Sequence, residues 1–277
     1  MRWVICALAL FALAPPAFAD DFDFLRGSQP VGPATFTRWS GFYFGGQFGM
    51  SDGRTDFSGA THVPVAYALR DTTLQDEVAP SQWPVLGTGT HAKESSGGFI
   101  GYNTQWQDLV LGVEANYSQA AMSIFAPSYP ISRITSAGGT PYLVNINGTA
   151  SMTNLDFGAL RARAGYVLGN FMPYGFIGLA LGQADMHVST TVSGEQNPPT
   201  TGICSAFNNP PCVPFSFSAT SGRDSQVLVG FDIGLGLDVA LTPNIFLRGE
   251  YEYVQFAPVS GILVDVNSVR AGAGFKF

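Results

Sequence analysis

Apolar and polar positions alternate with a period of two along eight stretches of the chain, at residues 40–49, 98–105, 109–120, 155–168, 171–186, 227–240, 245–256 and 267–277. Side chains of a β-strand point alternately to its two faces, so each stretch reads as a strand with one apolar and one polar face. In 245–256, Ile245, Leu247, Gly249, Tyr251 and Tyr253 share one face and Arg248, Glu250 and Glu252 the other. In 267–277, Val269, Ala271, Ala273, Phe275 and Phe277 oppose Arg270, Gly272, Gly274 and Lys276. In 227–240, Val229, Phe231, Ile233, Leu235, Leu237 and Val239 oppose Gly230, Asp232, Gly234, Gly236 and Asp238.

The spacers alternate in length. Trp106-Gln107-Asp108, Gly169-Asn170 and Thr242-Pro243-Asn244 are tight turns, whereas 51–97, 121–154 and 187–226 are long and polar, with a shorter spacer at 257–266. Structureless loops of that length count against a compact soluble domain. Short turns at one end and long loops at the other are the layout of a barrel whose strands cross a bilayer in about 9–11 tilted residues. The pattern therefore predicts an all-β fold, an eight-stranded antiparallel transmembrane β-barrel with short periplasmic turns, long extracellular loops and both termini periplasmic. A soluble β-sandwich or lipocalin-type cup would alternate equally well. Charged residues interleaved with bare glycines on the polar face favour a narrow barrel lumen over a solvent-facing surface. At eight strands that lumen is just wide enough for side chains to fill it.

The N-terminus has its own organisation. Arg2, an apolar run over 3–13, Pro15 and Pro16, and then Ala17-Phe18-Ala19 have the form of a secretory signal cleaved before Asp20. This gives a signal peptide at 1–19, a periplasmic segment at 20–38 and the barrel at 39–277. The run is shorter than the roughly 20 residues of a membrane-spanning helix. Cys6 lies inside it and no cysteine stands at the cleavage point, so a lipoprotein anchor is not expected.

Only 12% of the residues are charged, and 13 basic against 20 acidic residues give a net charge of −7. There is no Lys/Arg run, which argues against nucleic-acid binding. Glycine (33) and phenylalanine (22) are abundant, yet mean hydropathy is only +0.17, as expected when apolar positions alternate with polar ones. After cleavage only Cys204 and Cys212 remain. In a chain passing through an oxidising compartment, they are expected to form a loop disulfide.

Candidate chemistry gathers on the polar faces: Glu114, Arg161, Arg163, Asp232, Asp238, Arg248, Glu250, Glu252, Arg270 and Lys276, with Gln47, Asn103, Gln105 and Asn116 as neighbours. Such a set would serve either as an ion-selective or catalytic constriction, or as a network of paired charges that plugs the lumen. The cost of an unpaired buried charge favours the plug. His187 and Ser189 fall on one face of a strand rim, but no third group that would orient the histidine is evident, so no catalytic residue is assigned. His62 and His91 lack metal-site spacing, and no metal or other cofactor is implied. In the first loop Val63, Val65, Tyr67, Leu69, Trp83 and Leu86 either extend a hairpin above the membrane or form an adhesive patch.

The stretches Trp39-Ser40-Gly41-Phe42-Tyr43-Phe44-Gly45-Gly46, Gly98-Phe99-Ile100-Gly101-Tyr102-Asn103, Leu111-Gly112-Val113-Glu114 and Leu160-Arg161-Ala162-Arg163-Ala164-Gly165-Tyr166 resemble the Omp25/Omp31-like family. So do Pro173-Tyr174, Leu247-Arg248-Gly249-Glu250-Tyr251-Glu252-Tyr253 and the closing residues 269–277. These are small porin-like or opacity-like outer-membrane β-barrels of alpha-proteobacteria. The resemblance implies residence in the outer membrane of a Gram-negative cell, and it implies that Phe275 and Phe277 form the signal read by the outer-membrane assembly machinery. The loops here are longer than the compact family pattern, and that pattern does not require the cysteine pair. The leading expectation is a non-enzymatic structural and surface-interaction barrel. Its expected partners are outer-membrane lipid, lipopolysaccharide, the assembly machinery and host or surface ligands met by the loops. The alternatives are a small diffusion porin or haem-binding uptake protein and, behind them, a lipid-modifying barrel enzyme.

Overall fold

A computed structural model describes residues 38–200 and 203–277. The signal peptide at 1–19 and nearly all of the 20–38 segment lie outside the described residues. The strands are β1 (Gly41–Asp56), β2 (Thr88–Trp106), β3 (Leu109–Gln119), β4 (Ser123–Phe125), β5 (Ile131–Ala137), β6 (Thr140–Tyr166), β7 (Phe171–Gln196), β8 (Val213–Ala240), β9 (Ile245–Phe256) and β10 (Leu263–Lys276). Two short helices, α1 (His62–Ala68) and α2 (Thr73–Val78), lie between β1 and β2. Strands β1, β2, β3, β6, β7, β8, β9 and β10 close an antiparallel ring of eight, sealed where β10 pairs with β1 and β3 pairs with β6. Closure gives every wall strand two hydrogen-bonded neighbours, which a barrel needs in hydrocarbon.

Near the short turns the outward positions are apolar and exposed: Phe44, Phe48, Ile100, Val113, Leu160, Ile177, Leu179, Phe231, Leu235 and Val269 among them. Their neighbours along each strand point inward and are buried, or are half-buried glycines. Among the described residues no helix is long and apolar enough to cross a membrane, and this belt of strands is the surface suited to lipid.

The long spacers are not loops throughout, and here the structure corrects the sequence reading. Strands β6, β7 and β8 run 27, 26 and 28 residues, well beyond the lipid-suited belt. Above the belt the alternation inverts. Inward positions become apolar (Val144, Ile146, Met152, Met186, Val192), whereas outward ones carry hydroxyls and amides. The strands thus build a folded head with a core of its own. Val65 of α1, Leu69 just past its C-terminus and Leu74 of α2 pack with Val85, Val144, Ile146 and Val192, while Val63 and Tyr67 face solvent. The first-loop apolar residues therefore divide between a core and a surface, and Leu86 joins the apolar filling of the barrel mouth.

The change of face coincides with two register shifts. One falls at Thr153/Asp156 in the β6–β7 pairing, the other at Ala184/Met186 in the β7–β8 pairing. Asn154 and Ser225 there adopt left-handed backbone conformations, the mark of bulges that bend a strand and sharpen its twist. Asp185 sits between them on β7 and accepts from the Asn154 side-chain amide at 2.9 Å and from the Ser225 backbone N–H at 2.8 Å. One carboxylate ties both bulges together.

Candidate functional site

Inside the lipid-suited part of the ring, inward side chains of β3, β6, β8, β9 and β10 meet in one ion-paired cluster. Arg161 pairs with Asp232, Glu252, Glu250 (2.9 Å) and Glu114 (3.4 Å). Arg163 pairs with Asp238 at 2.7 Å and Glu114 at 3.1 Å. Arg248 reaches Glu114 at 2.7 Å and Asp238 at 2.9 Å, and Arg270 reaches Glu250 at 2.6 Å and Glu252 at 2.8 Å. All nine side chains are buried. Tyr43 donates to Glu114 at 2.8 Å and Tyr174 to Glu250 at 2.9 Å, so the carboxylates are hydrogen-bonded as well as paired. Gln47, Asn116 and Ser118 continue the network, and Ser118 accepts from Arg270 at 2.7 Å.

Aromatic rings cover the guanidinium faces. Arg163 lies 3.9 Å from the Tyr174 ring centroid, Arg248 4.0 Å from Phe99 and Arg161 4.2 Å from Phe176, within range of a cation–π attraction. The glycines of β8 make room for these rings: a Cβ at Gly234 would run into Phe176, and one at Gly236 into Tyr174. The lumen is layered as a result. Toward the short turns Trp39, Tyr43, Val110, Met172 and Phe246 pack in one buried cluster. Toward the head Phe57, Met122, Ile124, Met152, Phe157 and Phe256 form another.

Lys276 does not belong to the ion-paired cluster. Its ammonium donates to the Arg38 carbonyl at 2.6 Å and lies 4.2 Å from the Trp39 ring centroid, because the last inward position of β10 falls at the rim, beyond direct ion-pair distance of the cluster. Gln105 is likewise a rim residue, accepting from the Trp39 backbone N–H at 2.8 Å. With Lys276 apart, five carboxylates face four guanidiniums in the cluster. The apolar layers were not read from the sequence. Their signal was available in Phe99, Tyr174, Phe176, Phe246 and Phe256, large residues at inward positions opposite glycines.

Phe275 and Phe277 point outward at the short-turn rim, with Phe277 72% exposed and both rings beside Phe44 at 6.3 and 6.1 Å. Cys204 and Cys212 are disulfide-bonded, with Cα atoms 5.2 Å apart, beyond the end of the β7–β8 hairpin. Together with Glu195 they form the one group among the described residues with metal-like spacing. Both sulfurs are consumed by the bond, so no thiolate is on offer. His187 and Ser189 are not at a strand rim but within the head part of β7. His187 has a neighbour that the sequence did not reveal, Asp224 on β8, with Nε2 3.6 Å from Oδ1. Both side chains are open to solvent.

The family model described as outer membrane protein beta-barrel domain matches residues 5–277. The 25 kDa outer-membrane immunogenic protein of Brucella ovis is 26% identical over 99% of this chain and 96% of its own length. The 22 kDa outer membrane protein of Rhizobium leguminosarum is 26% identical, covering 90% of this chain and 82% of that one. The 31 kDa outer-membrane immunogenic protein of Brucella melitensis is 24% identical over the full length of both. Among solved structures, Neisserial surface protein A is similar with a TM-score of 0.35 and 15% identity, over 86% of this chain and 98% of that one.

Proposed function

The chain belongs to the family of outer membrane protein beta-barrel domains, and from that premise we propose that it is a non-enzymatic anchor: a barrel closed by its own side chains that holds a folded head at the cell surface. The observation that carries this reading is the filling of the lumen, an ion-paired layer between two apolar layers. Charges that pair this closely, under stacked rings, leave no continuous aqueous path. The relatives' description as immunogenic outer-membrane proteins supports a surface role for the head.

In this reading the short turns and both termini are periplasmic and the long arms of β6, β7 and β8 stand outside. A cysteine in place of Pro199 labels with an impermeant maleimide on intact cells, and one in place of Pro243 does not; the reverse pattern overturns the orientation. Phe275 and Phe277 serve as the assembly signal, so Phe277→Ser lowers the amount reaching the outer membrane. Unchanged yield would leave Phe277 as an interfacial aromatic anchor alone. Functionally, a strain lacking the chain keeps its small-solute uptake and loses surface attachment. A strain that loses uptake but retains attachment would contradict the anchor reading.

A further inference from the structure

The outward face of the head, on β6, β7 and β8, is a regular array. Above the bulges the paired residues form rows across three strands: Ser151–His187–Gly222 and Thr149–Ser189–Thr220, then Asn147–Thr191–Ser218 and Asn145–Ser193–Ser216. Neighbouring strands lie about 4.8 Å apart and successive rows about 6.6 Å, so small hydroxyls and amides stand on a near-rectangular grid. Each is both donor and acceptor. The rows hold no Lys, Arg, Asp or Glu.

Two concavities open on this face. The larger, about 550 Å³, is lined by Thr149, Ser151, His187, Ser189 and Thr220, with the Phe125 ring at its side. Phe125 pairs with Ser151 from β4 and is 68% exposed. Gly222 leaves space for the imidazole, since a Cβ there would come within 2.9 Å of His187 Nδ1. The second concavity, about 360 Å³, continues the grid through Asn145, Asn147, Thr191 and Ser193.

We infer that this face is a saccharide-binding site and that its occupant is the sugar chain of neighbouring lipopolysaccharide. An exposed aromatic ring beside convergent hydroxyls, amides and an imidazole suits a ligand with apolar C–H faces and many hydroxyls. A protein partner would call for a central cluster of aromatic or arginine anchors, which the rows lack, and an anionic ligand would meet no cation. Position selects the source. The same strands carry Leu160, Leu179, Leu181 and Val229 in the lipid belt just below. His187 is six residues beyond Leu181, about 20 Å along the strand, a height at which the neighbouring matter is the sugar layer above the lipid. This deepens the anchor proposal and rests on its placement of the head outside the cell.

The experiment titrates the detergent-solubilised full chain with two probes prepared from purified lipopolysaccharide, the core oligosaccharide released by mild acid and the lipid A left behind. The oligosaccharide binds the wild type. Both Phe125→Ala and the pair Ser189→Val with Thr220→Val weaken that binding about tenfold, with lipid A binding and heat-modifiable gel migration unchanged. Thr90→Val, on the outward face of β2, has no effect. Absence of oligosaccharide binding at about 10 mM, or binding untouched by both variants, overturns the site. Because these measurements use soluble probes and isolated protein, they fail independently of the cysteine labelling that tests which way the head faces.

Discussion

Glu114 is the most heavily shared acceptor of the lumen, reached by Arg161, Arg163 and Arg248 from two other strands and by the Tyr43 hydroxyl. Glu114→Gln weakens three charge-assisted hydrogen bonds at once, although each arginine keeps another carboxylate, so it costs about 2–3 kcal/mol, read as a lower urea midpoint in detergent. Lys276 provides the contrast. Its partners are a backbone carbonyl and the Trp39 ring, and Lys276→Met changes stability by no more than about 1 kcal/mol. Equal losses for the two variants would show that the cluster does not hold the barrel together. The inward charges were legible in the sequence because glycine and arginine alternating with Leu and Tyr have no other economical place in a narrow barrel. The exclusion of Lys276 was not legible, since alternation fixes the face of a residue but not its height along the axis.

At the level of elements, the junction between barrel and head rests on Asp185, which joins the bulges of β6 and β8 through Asn154 and Ser225. Asp185→Ala loosens that seam. Limited proteolysis cuts near 154 or 225 in the variant and not in the wild type, while global unfolding of the barrel keeps its midpoint; a cut pattern identical to wild type would deny the seam its role. The tip of the β7–β8 hairpin behaves as a separate unit. Its disulfide closes a short loop and contributes about 2–3 kcal/mol at most, locally. A Cys204→Ser, Cys212→Ser double variant therefore exposes the tip to protease without shifting barrel unfolding, and thiol labelling of the unreduced wild type finds no free sulfur. The lipid-belt parts of β7, β8, β9 and β10 were readable because their apolar residues face outward against charged or bare inward positions. The head parts of β6, β7 and β8 were not, because past the bulges the apolar residues turn inward and Ser, Thr and Asn turn out. The same period of two then carries the opposite polarity, and a hydroxyl-rich strand reads as loop.

At the largest scale, the described residues of the barrel and head share one wall with two interiors: ion pairs and stacked rings in the lipid-suited part, and an apolar core in the head. In the proposed function the filled lumen makes the barrel a support, and the head supplies the surface that meets other molecules. This division rests on the lumen being closed, and electrical recording across a planar bilayer tests that most directly. Purified wild-type protein, inserted and oriented, shows no stable unitary conductance, while Glu250→Ala, which strips Arg161 and Arg270 of a shared carboxylate, introduces leak. Large, stable, ohmic channels in the wild type, unaltered by Glu250→Ala or Arg163→Ala, would contradict the account and make the chain a pore.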